Sequence, residues 1–445
     1  MRLPALLLAL LACAPAASAQ EPLVSDPAGA ARAAAGSETS AVQVVLAPAP
    51  GHPLTLAECY ALALKRSEEI AIHGELIKQT EARFLQSLSG ALPHASYEIS
   101  RKRQDGSGSS AFTLRDIPEQ RFAVTQPLFG GFKEFAAMRG TRAERRQREH
   151  ERRRAEDLLF VDVANALYLV LEQREDQQAL EMIRSTLMER LDELGERQRL
   201  GRTRTTDVAS AEAQLRRVEA EMEGARMLEA TARELLEFLT GLPQVDALMD
   251  PDPTLLAPEA ESAYLARALV RPDVRAAEEA WQAAKKGITI ARAGFYPDVD
   301  LEGNYYTERV GNAADVAWDV TLLVSVPLFQ GGTNIGAVRE AQSEERQAEL
   351  TLEQRRREAA RDVQYAFAQY TGALARHAAL ARAHEAAEQS YRLQAEDFRL
   401  NLINNLDVLQ TLQTLEDSRR EALSAAYEAK RLHWALQAAA GGVTP

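Results

Sequence analysis

Pro127-Leu128-Phe129-Gly130-Gly131 returns 200 residues later as Pro327-Leu328-Phe329-Gln330-Gly331-Gly332. The same offset carries Asp162-Val163 onto Asp362-Val363, Ala166 onto Ala366, Asp207-Val208 onto Asp407-Val408 and Leu215 onto Leu415. An ungapped correspondence over roughly 90 residues marks an internal repeat. With a gap the match continues upstream, where Ala91-Leu92-Pro93 answers Phe295-Tyr296-Pro297. Between the copies stand Pro243, Pro251, Pro253 and Pro258. The chain therefore divides into repeats at 54–243 and 259–438, a linker at 244–258 and a tail at 439–445.

Each repeat reads helix, strand, strand, long helix, turn, helix. Thr55-Leu56-Ala57-Glu58 is a capping box that opens a helix. A second helical stretch runs from about Ser67 to Ser89 and stops before Pro93. In the other copy, Pro272 stands where a helix begins, and the pattern runs to Ala293. Strand pairs follow at about His94–Arg103 with Glu119–Leu128, and at about Asp298–Glu308 with Trp318–Leu328. In the second pair Val299, Leu301, Gly303 and Tyr305 alternate with Asp298, Asp300, Glu302 and Asn304. Trp318, Val320, Leu322, Val324 and Val326 alternate with Asp319, Thr321, Leu323 and Ser325, Leu323 being the one apolar residue on that second face. Strands of about ten residues with one apolar and one polar face are what a membrane barrel requires, although a soluble hairpin with one wet face has the same pattern.

No proline occurs from 128 to 242 or from 328 to 444. Leu159, Val163, Ala166 and Val170, and likewise Leu352, Ala359, Val363, Ala366 and Tyr370, fall at the three, four and seven spacing of a coiled-coil seam. From Gly131 to Gln198 a continuous helix would reach about 100 Å at about 1.5 Å per residue. The long helices end at Leu200-Gly201 and Leu400-Asn401, residues that tolerate the left-handed closing conformation. Thr205 or Thr206, and Asn404 or Asn405, are placed to cap the returning helices.

Charged residues at 26% with aromatics at only 6% suit long helices packed on narrow seams better than a compact globule. A net charge of −13 argues against nucleic acid as the main partner. The run Arg145, Arg146, Arg148, Arg152, Arg153 and Arg154 is interleaved with Glu144, Glu149 and Glu151 and reads as a solvated, ion-paired helix face. His377 and His384 have no Cys or carboxylate cluster to complete a metal site. Gly130-Gly131 and Gly331-Gly332 lack the Lys-Ser/Thr of a phosphate loop. No nucleophile, base and orienting group come together in the sequence, so neither an enzyme nor a cofactor is expected.

Arg2, the apolar run Leu3–Ala12 and Ala17-Ser18-Ala19 form an export signal over 1–19, followed by an Ala/Pro/Gly/Ser-rich leader at 20–53. Leu10-Leu11-Ala12-Cys13 is an alternative, lipoprotein-type cleavage box that would acylate Cys13. Either way the protein leaves the cytoplasm. Cys59 shares an apolar helix face with Leu56 and Leu62 and reads as core packing. No segment of the mature chain is a transmembrane helix candidate, so any membrane crossing is by strands. Four strands cannot close a barrel, and an open edge cannot face lipid. Two chains would give eight strands, three twelve and four sixteen.

The ordered set of Arg271-Pro272-Asp273-Val274, Phe295-Tyr296-Pro297, the two Pro-Leu-Phe exits and the tips 200–208 and 400–409 resembles the TolC outer-membrane efflux family, from about Leu54 to Ala438. The resemblance implies a mainly α fold with a membrane β-barrel portion. Long antiparallel hairpins would form an α-barrel tunnel, and four strands per chain would complete a twelve-stranded barrel in a homotrimer. It implies an exit duct of a tripartite efflux pump or type I secretion system, set in outer-membrane lipid and extending into the periplasm. Its partners would be a periplasmic adaptor and an inner-membrane RND or ABC transporter. It further implies that Leu200, Gly201, Thr205, Leu400, Asn401 and Asn404 lie on adaptor-contacting tips, and that Asp207, Asp407 and Gln410 lie at the entrance. Gln410 replaces an acidic residue that relatives often carry. Ile403 and Phe398 replace a basic residue and a tyrosine that tie some closed entrances, so the lock here must differ. A helix N-terminal role also accounts for Asp407. The competing reading is a periplasmic coiled-coil adaptor, which would have no use for two amphipathic hairpins in matching places.

Overall fold

The computed structural model describes residues 52–245, 247–251, 254–400 and 402–443. The export segment 1–19 with Cys13, most of the leader 20–53, and Asn401 lie outside the described residues. The first repeat holds α1 (Leu56–Arg66), α2 (Glu68–Ser89), β1 (His94–Arg103), β2 (Asp116–Gly130), α3 (Lys133–Arg199) and α4 (Thr205–Thr240). The second holds α5 (Glu261–Ala268), α6 (Pro272–Ala293), β3 (Asp298–Arg309), β4 (Trp318–Ser325), α7 (Thr333–Arg399) and α8 (Asn405–Ala440). Among the described residues no helix is long and apolar enough to cross a membrane.

The repeat is structural as well as sequential. α3 and α7 are each 67 residues long, and α4 and α8 each 36, so all four helix ends correspond at the offset of 200. At about 1.5 Å per residue each long helix is about 100 Å. Within the hairpins His94 lies opposite Thr125, as Asp298 lies opposite Ser325; Tyr97 faces Phe122, as Leu301 faces Leu322. The first strand of each pair thus follows an offset of 204 and the second an offset of 200. The extra residues fall in the first hairpin's loop at 104–115, which is longer than its counterpart at 310–317.

Local signals act as the sequence indicates. The Glu58 amide donates to Thr55 Oγ1 at 3.4 Å, and the Thr55 amide to Glu58 Oε2 at 2.8 Å, closing the capping box. Ser67 caps α2, and Pro272 is the first residue of α6. Of the seam residues, Val163, Val170, Ala359, Val363 and Tyr370 are fully buried. Cys59 is also fully buried, beside Leu54, Ala63 and Phe160. Burial pushes its thiol up to about 12, out of the range where a thiolate forms at neutral pH. A maleimide at pH 7.5 is therefore expected to label Cys59 only in denaturant; rapid labelling of the folded protein would contradict that placement.

The four strands form one antiparallel sheet in the order β1-β2-β3-β4. Among the described residues both outer strands have an unpaired edge. β2 continues to Gly130 through a register shift at Pro127, because β3 still pairs it there. β4 stops at Ser325, short of the expected Leu328, because β3 begins at Asp298 opposite Ser325 and, among the described residues, no strand lies on its other side.

The packing of α8 on α3 is more polar than an apolar seam suggests. Arg420 pairs with Asp176 of α3 at 2.7 Å and with Glu221 of α4 at 2.6 Å. Arg431 pairs with Glu172 at 2.5 Å, and Ser424 donates to the same carboxylate at 2.7 Å. Glu416 is buried beside this cluster, with one carboxylate oxygen unpartnered. Its burial, with Glu221 nearby, pushes its carboxyl up to about 7. The folded chain then holds this proton more tightly than the unfolded one does. The associated stability is present below the ordinary value near 4.5 and is lost as pH rises toward about 7. Glu416→Gln is expected to raise stability at pH 8 by on the order of 1–3 kcal/mol and to change little at pH 4.5, read from melting temperatures at the two pH values.

Candidate functional site

The two hairpin tips close by the same backbone device. The Arg202 amide donates to the Arg197 carbonyl at 2.8 Å and the Leu402 amide to the Asp397 carbonyl at 2.9 Å, bonds that satisfy the last turn of each long helix. Gly201 takes φ +69°, where a side chain would be strained. Leu200, Leu400, Leu402 and Leu406 are exposed at 67%, 63%, 69% and 54%, an apolar surface at the end of a charged rod.

The caps differ in part from expectation. Arg204, not Thr205 or Thr206, holds the capping position of α4. Asp207 reaches back to accept from the Arg204 amide at 3.1 Å and from Thr203 Oγ1 at 3.0 Å. The carboxylate thus supplies the acceptor that the side chain at the capping position lacks. Thr205, the first residue of α4, instead accepts from Gln198 Nε2 at 3.2 Å. At the second tip Asn404 caps α8: the Asp407 amide donates to Asn404 Oδ1 at 3.1 Å, and the Asn404 amide to Asp407 Oδ2 at 3.4 Å. Asp407 therefore does serve the helix N-terminus. It stays half-buried, and Gln410 is exposed one turn further along.

What the structure adds is a joint between the tips. Asn405 is buried at 4% exposure, and its Oδ1 accepts from Arg190 Nε at 3.1 Å and Nη2 at 3.0 Å. Its amide reaches the Asp207 carbonyl at 3.4 Å. The same Arg190 guanidinium lies 3.7 Å from the centre of the Phe398 ring, and Arg197 lies 4.7 Å from it. Glu193 pairs with both arginines, at 3.3 and 2.7 Å. One guanidinium of α3 thus grips the end of α7 and the start of α8. Phe398 and Ile403 sit in or against the apolar core of this joint with Leu187, Leu194, Val408 and Leu412. The sequence signal for it was slight: Arg190 and Arg197 are one heptad apart on the face that meets a lone aromatic.

A family model described as outer membrane efflux protein matches residues 265–442, the second repeat. The chain is 25% identical over 398 residues to the alkaline protease secretion protein AprF of Pseudomonas aeruginosa, covering 84% of this chain and 82% of that one. The second repeat thus matches the outer membrane efflux protein family. It is also 26% identical over 187 residues to the cation efflux system protein CusC of Escherichia coli, an alignment that spans 39% of this chain and 39% of that protein. Solved structures extend the likeness of fold to the rest of the chain. CusC superposes with a TM-score of 0.77 at 17% identity, covering 87% of this chain and 92% of that one. The outer membrane protein VceC of Vibrio cholerae superposes with a TM-score of 0.75 at 21% identity, covering 87% and 96%. The TolC-type fold, mainly helical with a four-stranded antiparallel sheet, is therefore present over both repeats of this chain.

Proposed function

We propose that the protein is a passive, non-enzymatic exit duct of a tripartite efflux pump or type I secretion system. Three copies close a twelve-stranded outer-membrane barrel that continues into an α-helical tunnel. A periplasmic adaptor grips the tips at Leu200, Gly201, Thr205, Leu400, Asn401 and Asn404, and an inner-membrane RND or ABC transporter delivers the cargo. The observation that carries this reading is a sheet with two unpaired edges mounted on two helices of about 100 Å. An open sheet cannot stand in lipid, and rods of that length have no role in a lone globule. The names of the relatives point to two kinds of cargo, cations for CusC and a protease for AprF, which fits a tube that leaves selection to its pump.

At the entrance Asp207, Asp407 and Gln410 come together in the assembled ring. Carboxylates around a narrow pore concentrate cations and focus the field. In planar bilayers the purified protein is expected to show discrete conductance steps and cation preference. Asp407→Asn is expected to lower the cation-to-anion permeability ratio several-fold with the protein still oligomeric. Recovery as a soluble periplasmic monomer would reject the duct; unchanged selectivity would reject the entrance role of Asp407.

A further inference from the structure

Each strand carries one aromatic side chain at the same level of the sheet. Tyr97 lies opposite Phe122, Phe122 opposite Tyr305, and Tyr305 opposite Trp318. Direct register partners share a face, and the Tyr97 and Phe122 rings indeed pack at 4.6 Å. Toward the helices the same face continues through Val124, Val320, Leu322 and Val324, 37% to 59% exposed. In the other direction, toward the hairpin loops, it turns polar. Ile99, 72% exposed, is the last apolar residue of β1 on this face. Opposite it Gln120 accepts from the Tyr97 hydroxyl at 2.6 Å and donates to Glu308 at 2.5 Å. A row of exposed rings between an apolar band and a polar rim is how a barrel strand meets the edge of a bilayer.

Just past that edge two arginines stand on the apolar side. Arg101 and Arg103 follow Tyr97 and Ile99 at alternate positions of β1, whereas Lys102 alternates with them and shares the other face with Glu98. Arg101 donates its Nε to both oxygens of Asp116 at 2.9 and 3.1 Å and its Nη2 to the same carboxylate, which leaves its Nη1 uncommitted. Asp116 is also the residue directly opposite Arg103. Arg103 therefore finds its cross-strand carboxylate already taken. Glu308, the nearest carboxylate of β3 on this face, is held by Gln120. Among the described residues Arg103 pairs with no carboxylate, and it is exposed. At about 3.4 Å per residue and a tilt of about 40°, Arg101 stands about 5 Å and Arg103 about 10 Å beyond Ile99 along the membrane normal. The headgroup layer is about 5–7 Å deep, and a long arginine side chain bends back into it.

We propose that Arg101 and Arg103 together bind the phosphate of an outer-leaflet lipid headgroup. This rests on the duct reading, which sets the apolar face in the bilayer. A guanidinium meets phosphate oxygens with parallel N–H groups, and a charge-assisted pair of this kind is among the strong hydrogen bonds. Arg103 offers its whole fork and Arg101 its Nη1. The place of the two arginines selects a phosphate tethered to acyl chains over a free one. The chains lie along Ile99 and the aromatic row while the headgroup reaches the arginines above them. A protein partner outside the cell would have to displace lipid to reach the same face. Asp116 moderates the site: it fixes the Arg101 side chain and neutralises part of its charge.

The test uses the full-length protein purified in a neutral detergent, with a bisphosphorylated glycolipid as the probe and binding read by native mass spectrometry. The parent is expected to retain this lipid and to bind its dephosphorylated form at least ten-fold more weakly. Arg101→Ser with Arg103→Ser is expected to lose at least ten-fold in affinity for the phosphorylated lipid. Lys102→Ser removes a neighbouring charge from the opposite face and is expected to bind as the parent does. Asp116→Asn frees the Arg101 fork and is expected to tighten binding several-fold. All variants are expected to conduct as the parent does, because the substituted side chains are exposed at the rim. A double variant that binds like the parent, or a dephosphorylated lipid that binds as well as the phosphorylated one, overturns the site. Displacement of the lipid by an equal concentration of inorganic phosphate overturns the lipid as its ligand. Each of these results, with a conducting protein, leaves the duct intact. A soluble, non-conducting monomer overturns both.

Discussion

Arg271→Ala is expected to destabilise the folded chain by about 1–3 kcal/mol, the cost of losing the buried arginine's charge-assisted hydrogen bonds to two half-buried carboxylates and a backbone carbonyl. The Arg271 side chain is only 3% exposed. Its Nε and Nη2 donate to the two oxygens of Asp273 at 2.7 and 2.8 Å, a bidentate fork. Nη1 donates to Asp362 of α7 at 3.2 Å and to the Ala439 carbonyl of α8 at 3.2 Å. One side chain therefore ties the start of α6 to both helices of the second hairpin. Although burial alone would raise it, the Asp273 carboxyl is held below its ordinary range by this arginine. A depressed carboxyl contributes stability above its unfolded value near 3.8, and that stability is lost as pH falls through the lower, folded value. The Arg271→Ala deficit should accordingly be largest at neutral pH and shrink in acid. Arg271→Lys keeps the charge but not the fork and is expected to fall between the two. Melting temperatures at pH 7 and pH 4 measure this; a variant that melts with the parent at pH 7 would show the fork to be dispensable.

Arg271 also shows where the sequence stops being readable. Arg271-Pro272-Asp273 announces a helix start because proline fixes φ and lacks a donor, both local facts. That the arginine is a clasp depends on Asp362 and Ala439, distant in sequence and invisible to any local pattern. The repeat, the helix lengths, the hairpin partners and the caps at Thr55 and Asn404 were legible because periodicity and capping act within a few residues. The charged packing of α8 on α3 was not: Asp176, Glu221 and Arg420 look like surface residues until three helices bring them together. The end of β4 was misjudged for a related reason. The alternation runs through Val326, but a strand lasts only as long as its partner, and β3 supplies none beyond Asp298. At the tips Asp207 and Asp407 stood out by position. Arg190 did not, because its partners Asn405 and Phe398 belong to the other hairpin.

Arg190→Ala is expected to loosen the joint between the tips and widen the entrance. Three interactions across the joint go at once: two hydrogen bonds to Asn405 Oδ1, and the cation over the Phe398 ring. Asn405 stays buried with its carbonyl oxygen stripped of donors, which alone costs about 1–3 kcal/mol. The lost cation–π contact adds about 1–2 kcal/mol where the pair is shielded from water. A joint weakened by roughly 2–5 kcal/mol opens about 30-fold to a few thousand-fold more often. Because Asn405 also holds the Asp207 carbonyl, and Asp407 lies on the same first turn of α8, both acidic positions move when the joint opens. Amide exchange of residues 187–200 and 402–412 should accelerate by at least ten-fold, while that of the α1 core around Cys59 stays as it was. Single channels should spend more time in their largest conductance state, and cells carrying the variant should become more sensitive to large antibiotics. Arg190→Lys keeps the charge near Phe398 but cannot bridge Asn405 with two donors in one plane, so it should give a smaller change. Accelerated exchange without a change in conductance would mean that the joint is only structural; conductance that rises without faster exchange would place the gate elsewhere on the tips.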